Sequence, residues 1–199
     1  MKKDRTNLIL VLIFIIGLSV MLYPTVSDYW NSRTQSRAVA TYNETVESMS
    51  EEDYEEMFQE AEAYNEALSQ VDMPFVNYDQ VEGYEDILDI SGTGIMGYVT
   101  IEKIRVELPI YHGTEDSVLQ IAAGHLQGSS LPIGGIGTHS VISAHRGLPS
   151  ARLFTELDEL EVGDTFTITV LDRQMTYQVD QIRIVEPQEI EELQIDPAE

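Results

Sequence analysis

The chain has 199 residues, and its 35 acidic side chains against 11 basic ones give a formal net charge of −24. This charge repels phosphate backbones and argues against nucleic-acid binding. The chain contains no cysteine, which excludes disulfides, thiolate metal sites and thiol catalysis by these residues alone. With 43% hydrophobic residues, the length suits one domain plus a membrane anchor.

The N-terminus carries a basic tip followed by an apolar run over residues 8–23. This run is shorter than the roughly 20 residues that span a bilayer, but Tyr29 and Trp30 can extend a helix into the far interface. We interpret residues 1–30 as a cytoplasmic tip and an uncleaved anchor; a cleaved signal peptide is the alternative. Three basic residues precede the run and two follow it before residue 38. This excess predicts a cytoplasmic N-terminus and a domain outside the cell.

Residues 31–69 show apolar side chains at three- and four-residue steps, which predicts a helical extension of two helices. The pattern breaks near Ser50, and Asp53 three residues later makes Ser50 a plausible N-cap of the second helix. Neither half sustains three heptads, so we expect the apolar stripe to pack on the rest of the protein.

The chain turns to strands from Gly94 onward, with many β-branched and aromatic residues. On the last predicted strand, the alternation of apolar side chains shifts by one residue between Val179 and Ile182, which predicts a bulge near Gln181. Together these features predict a small, mixed or largely antiparallel β-barrel with peripheral helices. The predicted strands are 98–101, 106–111, 139–145, 165–171 and 175–185, and the predicted short helices are 115–123 and 150–157.

His145 is the candidate catalytic residue. It follows alternating apolar residues and precedes a glycine-containing turn, so it lies at the exposed end of a strand, where a general acid or base is usefully held. A purely structural histidine is the alternative on spacing alone.

Four stretches together resemble the catalytic domain of class C sortases, the pilin-polymerising type: residues 108–114 (LPIYHGT), 131–135 (LPIGG), 137–149 (GTHSVISAHRGLP) and 152–158 (RLFTELD). The resemblance covers about residues 28–187. It implies a Cys-His-Arg set that cleaves a sorting signal after its threonine, holds the acyl group as a thioester and passes it to an amine. In pilus sortases that amine is a pilin lysine.

The sequence departs from this family in two ways. It has no cysteine, and it ends at Glu199, where the family continues into its cysteine and arginine strands. His145 matches the family's catalytic histidine, whereas the arginines at 146, 152, 173 and 183 do not match its arginine. We therefore expect residues 91–199 to form a partial sortase barrel, mostly β with peripheral helices and incomplete at the C-terminus. The transmembrane helix and two further helices precede it.

Residues 70–90 are acidic, contain Pro74 and Gly83, and show little periodicity, which predicts a loop. Class C sortases place a lid here, with an Asp-Pro-aromatic motif over the active site. This chain has Asp72 and Phe75 in a version one residue longer. The resemblance thus implies a lid with Phe75 covering the cleft, and a plain linker is the alternative.

Other motifs give weaker hypotheses. The GTGIMG stretch at 92–97 precedes a strand, which argues against a dinucleotide site. The four histidines lack metal-ligand spacing, so we expect no metal and no cofactor. Ser143 lies two residues before His145, but nothing in the sequence orients it as a nucleophile.

The resemblance implies a membrane-anchored transpeptidase, present here as a fragment that we expect to be inactive alone. Its implied partners are sorting-signal peptides of pilins or surface proteins and an amine nucleophile, either a pilin lysine or a wall peptide. The alternative is a non-catalytic membrane-anchored protein that binds sorting signals or pilins.

Overall fold

The computed structural model describes residues 2–186, with side chains from Thr6 onward. Its first element, α1, runs from Lys2 to Glu47 and continues through Pro24. The first half of α1 is long and apolar enough to cross a membrane, and its apolar side chains are exposed. The same helix then packs its second half against the rest of the protein, where Val39, Tyr42 and Val46 are buried.

The second helix, α2, runs from Glu51 to Ser69 and begins with the predicted cap. The Asp53 backbone N–H donates to Ser50 Oγ over 3.2 Å, and the Ser50 backbone N–H donates to Asp53 Oδ2 over 2.9 Å. The Asp53 carboxylate accepts from both the backbone N–H and the hydroxyl of Ser50, and these two bonds lower the pKa of Asp53. The reciprocal pair satisfies N–H groups that have no partner inside the helix, which explains why the chain breaks here and starts a new helix.

Six strands form one sheet in the order β4-β3-β2-β1-β5-β6. Neighbouring strands are antiparallel except for β2 and β3, which are parallel. The loop between β3 and β4 reaches the opposite edge, since a Cβ at Gly134 would lie 3.1 Å from Met175 Sδ of β6. The sheet is therefore strongly curled. The strands are β1 Ile95–Ile101, β2 Val106–His112, β3 Ala123–His125, β4 Ile142–Ser143, β5 Thr165–Val170 and β6 Arg173–Gln178.

The mostly β fold with peripheral helices is confirmed, but several predicted elements were wrong in extent. The strand predicted over 139–145 is reduced to two residues. The strand predicted over 175–185 ends at Gln178, so within residues 2–186 Gln181 belongs to no ladder in which it could form a bulge. The helix predicted over 115–123 is reduced to α4 (Asp116–Leu119), and the unpredicted β3 begins at its last residue. The region 150–157 holds turns and then the 3-10 helix Leu157–Glu159. Short apolar runs do not distinguish these states by periodicity.

Buried polar side chains attach both helices to the sheet. The Tyr42 hydroxyl of α1 donates to the Met96 carbonyl of β1 over 3.1 Å and accepts from the Leu171 N–H in the β5–β6 turn over 2.8 Å. Burial raises the pKa of Tyr42, which keeps this donor protonated. From α2, the Asn65 amide pairs with both backbone groups of Leu131.

Residues 70–90 are more ordered than the predicted loop. They contain α3 (Pro74–Asn77) and the 3-10 helix Tyr78–Gln80. Further along, Tyr84 and Leu88 are buried in the core with exposed fractions of 3% and 0%. The segment is therefore held to the sheet at its C-terminal part, which the weak periodicity of its sequence did not reveal.

Tyr84 joins this segment to His125, a fully buried residue of β3. Its hydroxyl lies 2.9 Å from His125 Nδ1 and accepts from the Gly113 N–H over 2.9 Å. His125 Nε2 lies 2.8 Å from the Ser130 carbonyl, which can only accept, so Nε2 carries the proton. The proton of the Tyr84 hydroxyl is then shared between the unprotonated Nδ1 and the His125 carbonyl, which accepts from the same hydroxyl over 3.0 Å. Burial lowers the pKa of His125 from 6.5 to about 4, and neutral His125 completes this network.

The depressed pKa of His125 predicts a loss of stability in acid. Well above pH 6.5, His125 is neutral in both the folded and the unfolded chain, and its full contribution to the free energy of unfolding is present. As the pH falls towards 4, His125 becomes protonated in the unfolded chain but stays neutral in the folded one, so the folded state loses stability relative to the unfolded state. This term removes about 3 kcal/mol from the free energy of unfolding across that window. Denaturant melts between pH 7 and pH 4 would measure it, with His125→Gln as the variant that cannot titrate. Equal pH slopes for both proteins would contradict the assignment.

Candidate active site around His145

His145 lies two residues beyond β4 and is partly buried. β4 is held by antiparallel pairing of Ser143 with Gly124 and of Ile142 with His125. Because that pairing runs antiparallel, His145 projects past the N-terminal end of β3. The sheet thus fixes where the strand ends, and the histidine stands at that end as the sequence predicted.

The chain after His145 folds back onto it. The Phe154 N–H donates to the His145 carbonyl over 3.1 Å, and the Gly147 N–H donates to Thr155 Oγ1 over 3.1 Å. Gly147 has φ +74, a backbone conformation that favours glycine and makes the turn possible. These bonds close a compact loop over residues 145–155 without regular secondary structure.

The loop carries two ion pairs on its outer side. Arg146 Nη2 lies 2.6 Å from Asp158 Oδ2, and Arg152 pairs with Glu156 four residues later. Both arginines are exposed and already paired with carboxylates. They therefore hold the loop in shape, and neither is a free cation for an oxyanion.

Helix α1 binds the backbone of the same loop through two side chains. Asp28 Oδ1 accepts from the Arg152 N–H over 2.8 Å, and Asn31 Nδ2 donates to the Ser150 carbonyl over 2.8 Å. Sequence reasoning missed both residues, because a polar side chain after an apolar run carries no signal that distinguishes a solvated position from a tertiary hydrogen bond.

The imidazole of His145 makes no hydrogen bond or ion pair with any other residue in the range 2–186. Both ring nitrogens are therefore open to an incoming group, as a general acid or base requires. Ser143 belongs to β4, and within the described residues no hydrogen bond joins it to His145. The geometry thus presents an imidazole free of other hydrogen bonds, with no activated hydroxyl beside it among residues 2–186.

The other histidines have different environments. His112 is buried, with Nδ1 3.0 Å from the Gly94 carbonyl and Nε2 2.8 Å from the Ile87 carbonyl, which is a structural arrangement. His125 is buried with Tyr84, and the backbone N–H of His139 donates to Ser130 Oγ. Across the part of the chain that the structure describes, no three His, Asp or Glu side chains are grouped as metal ligands.

The residues of the predicted lid lie in and beside α3. Asp72 is exposed, and its carbonyl accepts from Asn77 Nδ2. Phe75 is partly buried against Gly128, where an added Cβ would lie 3.0 Å from Phe75 Cα. Gly128 follows β3, whereas His145 follows β4, so this contact lies at the opposite end of the β3–β4 pair from His145.

Comparison with known proteins places these features in a family. A model of the sortase domain matches residues 99–198. Sortase D of Bacillus subtilis (strain 168) is 32% identical over 90 residues, and the chain spans 42% of that curated relative, less than half of its length.

Solved structures match over more of the chain. Sortase C1 from Streptococcus agalactiae is 46% identical with a TM-score of 0.72, over 80% of this chain and 83% of that one. Sortase C from Clostridium perfringens with the C-terminal cell wall sorting motif is 35% identical with a TM-score of 0.68, over 81% and 83%. The curled sheet, the helices against it and the matched domain show that the chain belongs to the sortase family, with class C sortases as its structural neighbours.

Proposed function

We propose that this chain is the histidine-bearing part of a membrane-anchored class C sortase, a cysteine transpeptidase that cleaves LPxTG-like sorting signals and joins pilin subunits. The observation that carries the proposal is His145, partly buried at the end of β4 with an imidazole unengaged by residues 2–186. It lies within the residues that match the sortase domain.

The chemistry gives His145 a defined task. In a cysteine transpeptidase a thiolate attacks the scissile carbonyl, and the leaving amine must gain a proton. An open imidazole at the site edge can donate that proton, and the resulting neutral ring can then take a proton from the incoming amine. The 199 residues contain no cysteine, so this mechanism requires a thiolate supplied in addition to them. The resemblance implies the same for the guanidinium that would stabilise the oxyanion.

The proposed substrates are sorting-signal peptides. One structural neighbour, sortase C of Clostridium perfringens, was solved with a C-terminal cell wall sorting motif. We extend that peptide class to this chain because 81% of it aligns with that structure. The proposed acceptor is an amine, either a pilin lysine or a wall peptide.

A second candidate function follows from the composition. A chain without cysteine cannot form a thioester, yet its six-stranded sheet and its His145 loop are formed in the structure. Such a chain is suited to holding a sorting signal or a pilin without cleaving it. The two functions differ in whether a supplied cysteine restores turnover.

We also propose that α1 anchors the protein in the membrane with the sheet outside the cell. The apolar side chains of α1 from Leu8 onward are exposed, and no part of residues 2–186 covers them. Basic residues are more frequent before the run than after it.

The first prediction concerns turnover. The 199-residue chain should release no product from a fluorescent sorting-signal peptide, whereas the chain extended by the family's cysteine and arginine strands should cleave it. In the extended chain, His145→Ala should reduce kcat/KM on the order of 100-fold or more, because general-acid catalysis contributes at that scale. His139→Ala is the matched control and should lose far less. Turnover by the cysteine-free chain would refute the mechanism, and peptide binding without turnover by the extended chain would favour the binding protein.

The second prediction concerns topology. Protease added to intact protoplasts should digest residues beyond 31 and leave the basic tip protected, since the anchor would expose the acidic domain. Immunoblotting with tags at either end measures this. Full protection of the domain would contradict an extracellular location.

The third prediction concerns the proposed lid of Asp72 and Phe75. If Phe75 covers the cleft, Phe75→Ala should speed carbethoxylation of His145 by diethyl pyrocarbonate, measured by peptide mass spectrometry. Val76→Ala is the control, because Val76 is the adjacent side chain and is 67% exposed. An unchanged rate for Phe75→Ala would mean that the aromatic ring only packs against Gly128.

A further inference from the structure

Three polar side chains on one face of α1 bind backbone groups near His145. Asp28 and Asn31 bind Arg152 and Ser150, and Gln35 Nε2 donates to the Ile121 carbonyl over 2.7 Å. Their spacing of three and then four residues places them in a row along the helix. The row therefore contacts the chain at Ile121, shortly before β3, and at residues 150–152, shortly after β4.

The contacts of Asp28 and Asn31 reach His145 through a short path. Ser150 and Arg152 lie four and two residues before Phe154, whose N–H donates to the His145 carbonyl. The Ala151 N–H also bonds back to the Leu148 carbonyl over 3.4 Å. Displacing residues 150–152 would thus move the donor that holds the backbone of His145.

This loop keeps its shape without regular secondary structure. Residues 144–156 form no strand or helix, so most of their backbone groups are not fixed by a regular hydrogen-bond ladder. Ordering such a segment costs conformational entropy, which a rigid partner reduces by offering fixed donors and acceptors. Asp28 and Asn31 are both partly buried on a continuous helix and meet that requirement.

We propose that Asp28 and Asn31 are positioning residues for His145, which they hold by binding the backbone of residues 150–152. The proposal rests on the proposed catalytic role of His145. Asp28 lies five residues after Tyr23, the end of the apolar run, or about 7 Å along the helix axis. The anchoring helix itself therefore sets the position of the catalytic histidine just beyond its apolar segment.

The experiment uses the whole 199-residue chain in lipid nanodiscs and needs no turnover. Asp28→Ala and Asn31→Ala should each speed amide hydrogen exchange at Arg152 and Phe154 on the order of tenfold, because the loop opens locally more often. Both should also shift the imidazole NMR signals of His145. Asp28→Asn keeps an oxygen that accepts from the Arg152 N–H and should restore the original exchange rate and signals.

Thr34→Ala is the matched control, because Thr34 is exposed on the same helix and its hydroxyl bonds, among the described residues, to the Trp30 carbonyl of its own helix alone. It should leave the His145 signals and loop exchange unchanged. Should the alanine variants unfold, as a thermal melt would show, Asn31→Asp decides instead, since it keeps the shape and removes the donor. Unchanged His145 signals in all variants, or equal effects from Thr34→Ala, would overturn the proposal. Failure of the turnover prediction would leave these readouts intact, so the two hypotheses fail separately.

Discussion

The buried hydroxyl of Tyr42 is the interaction on which the arrangement of helix and sheet depends. It joins α1 to the Met96 carbonyl in β1 and to the Leu171 N–H in the β5–β6 turn. A buried backbone group that loses its hydrogen-bond partner costs about 1–3 kcal/mol, so removing this hydroxyl would weaken both attachments. Because one hydroxyl satisfies both, the rotation and height of α1 on the sheet are fixed together. The same position of α1 brings Asp28 and Asn31 into contact with the His145 loop.

Two glycines allow backbone segments of the sheet to approach each other closely. A Cβ at Gly97 would lie 2.3 Å from the Thr169 carbonyl, and a Cβ at Gly124 would lie 2.2 Å from the Gly113 carbonyl. Glycine at these positions lets β1 approach β5 and lets β3 approach the turn after β2. The pairing of Gly124 with Ser143 then determines where β4 ends and where His145 begins. The candidate site is thus positioned by backbone contacts that contain no catalytic group.

Several predictions from the sequence survive for identifiable reasons. The start of α2 was predicted from Ser50 and Asp53 because a capping box is a local interaction between residues three apart. The strand Thr165–Val170 was predicted because its apolar residues alternate. By contrast, β3 and β4 have three and two residues, too few for any periodicity to show. The burial of Tyr84 in a segment predicted to be a loop was missed because its partner His125 lies 41 residues away.

The sequence by itself determined the apolar helix, the acidic character, the absence of a thiol and the position of His145 at a strand end. Each of these depends on composition or on neighbours within a few residues, where spacing and burial are directly related. Only the tertiary structure decided that His125 and His112 are structural, that Phe75 meets Gly128, and that Asp28 and Asn31 reach the His145 loop. These contacts join residues far apart in the chain, where the same polar side chain can be solvated or bonded. For Asp28 and Asn31, the packing of α1 across the curled sheet decides that they are hydrogen-bonded to the loop.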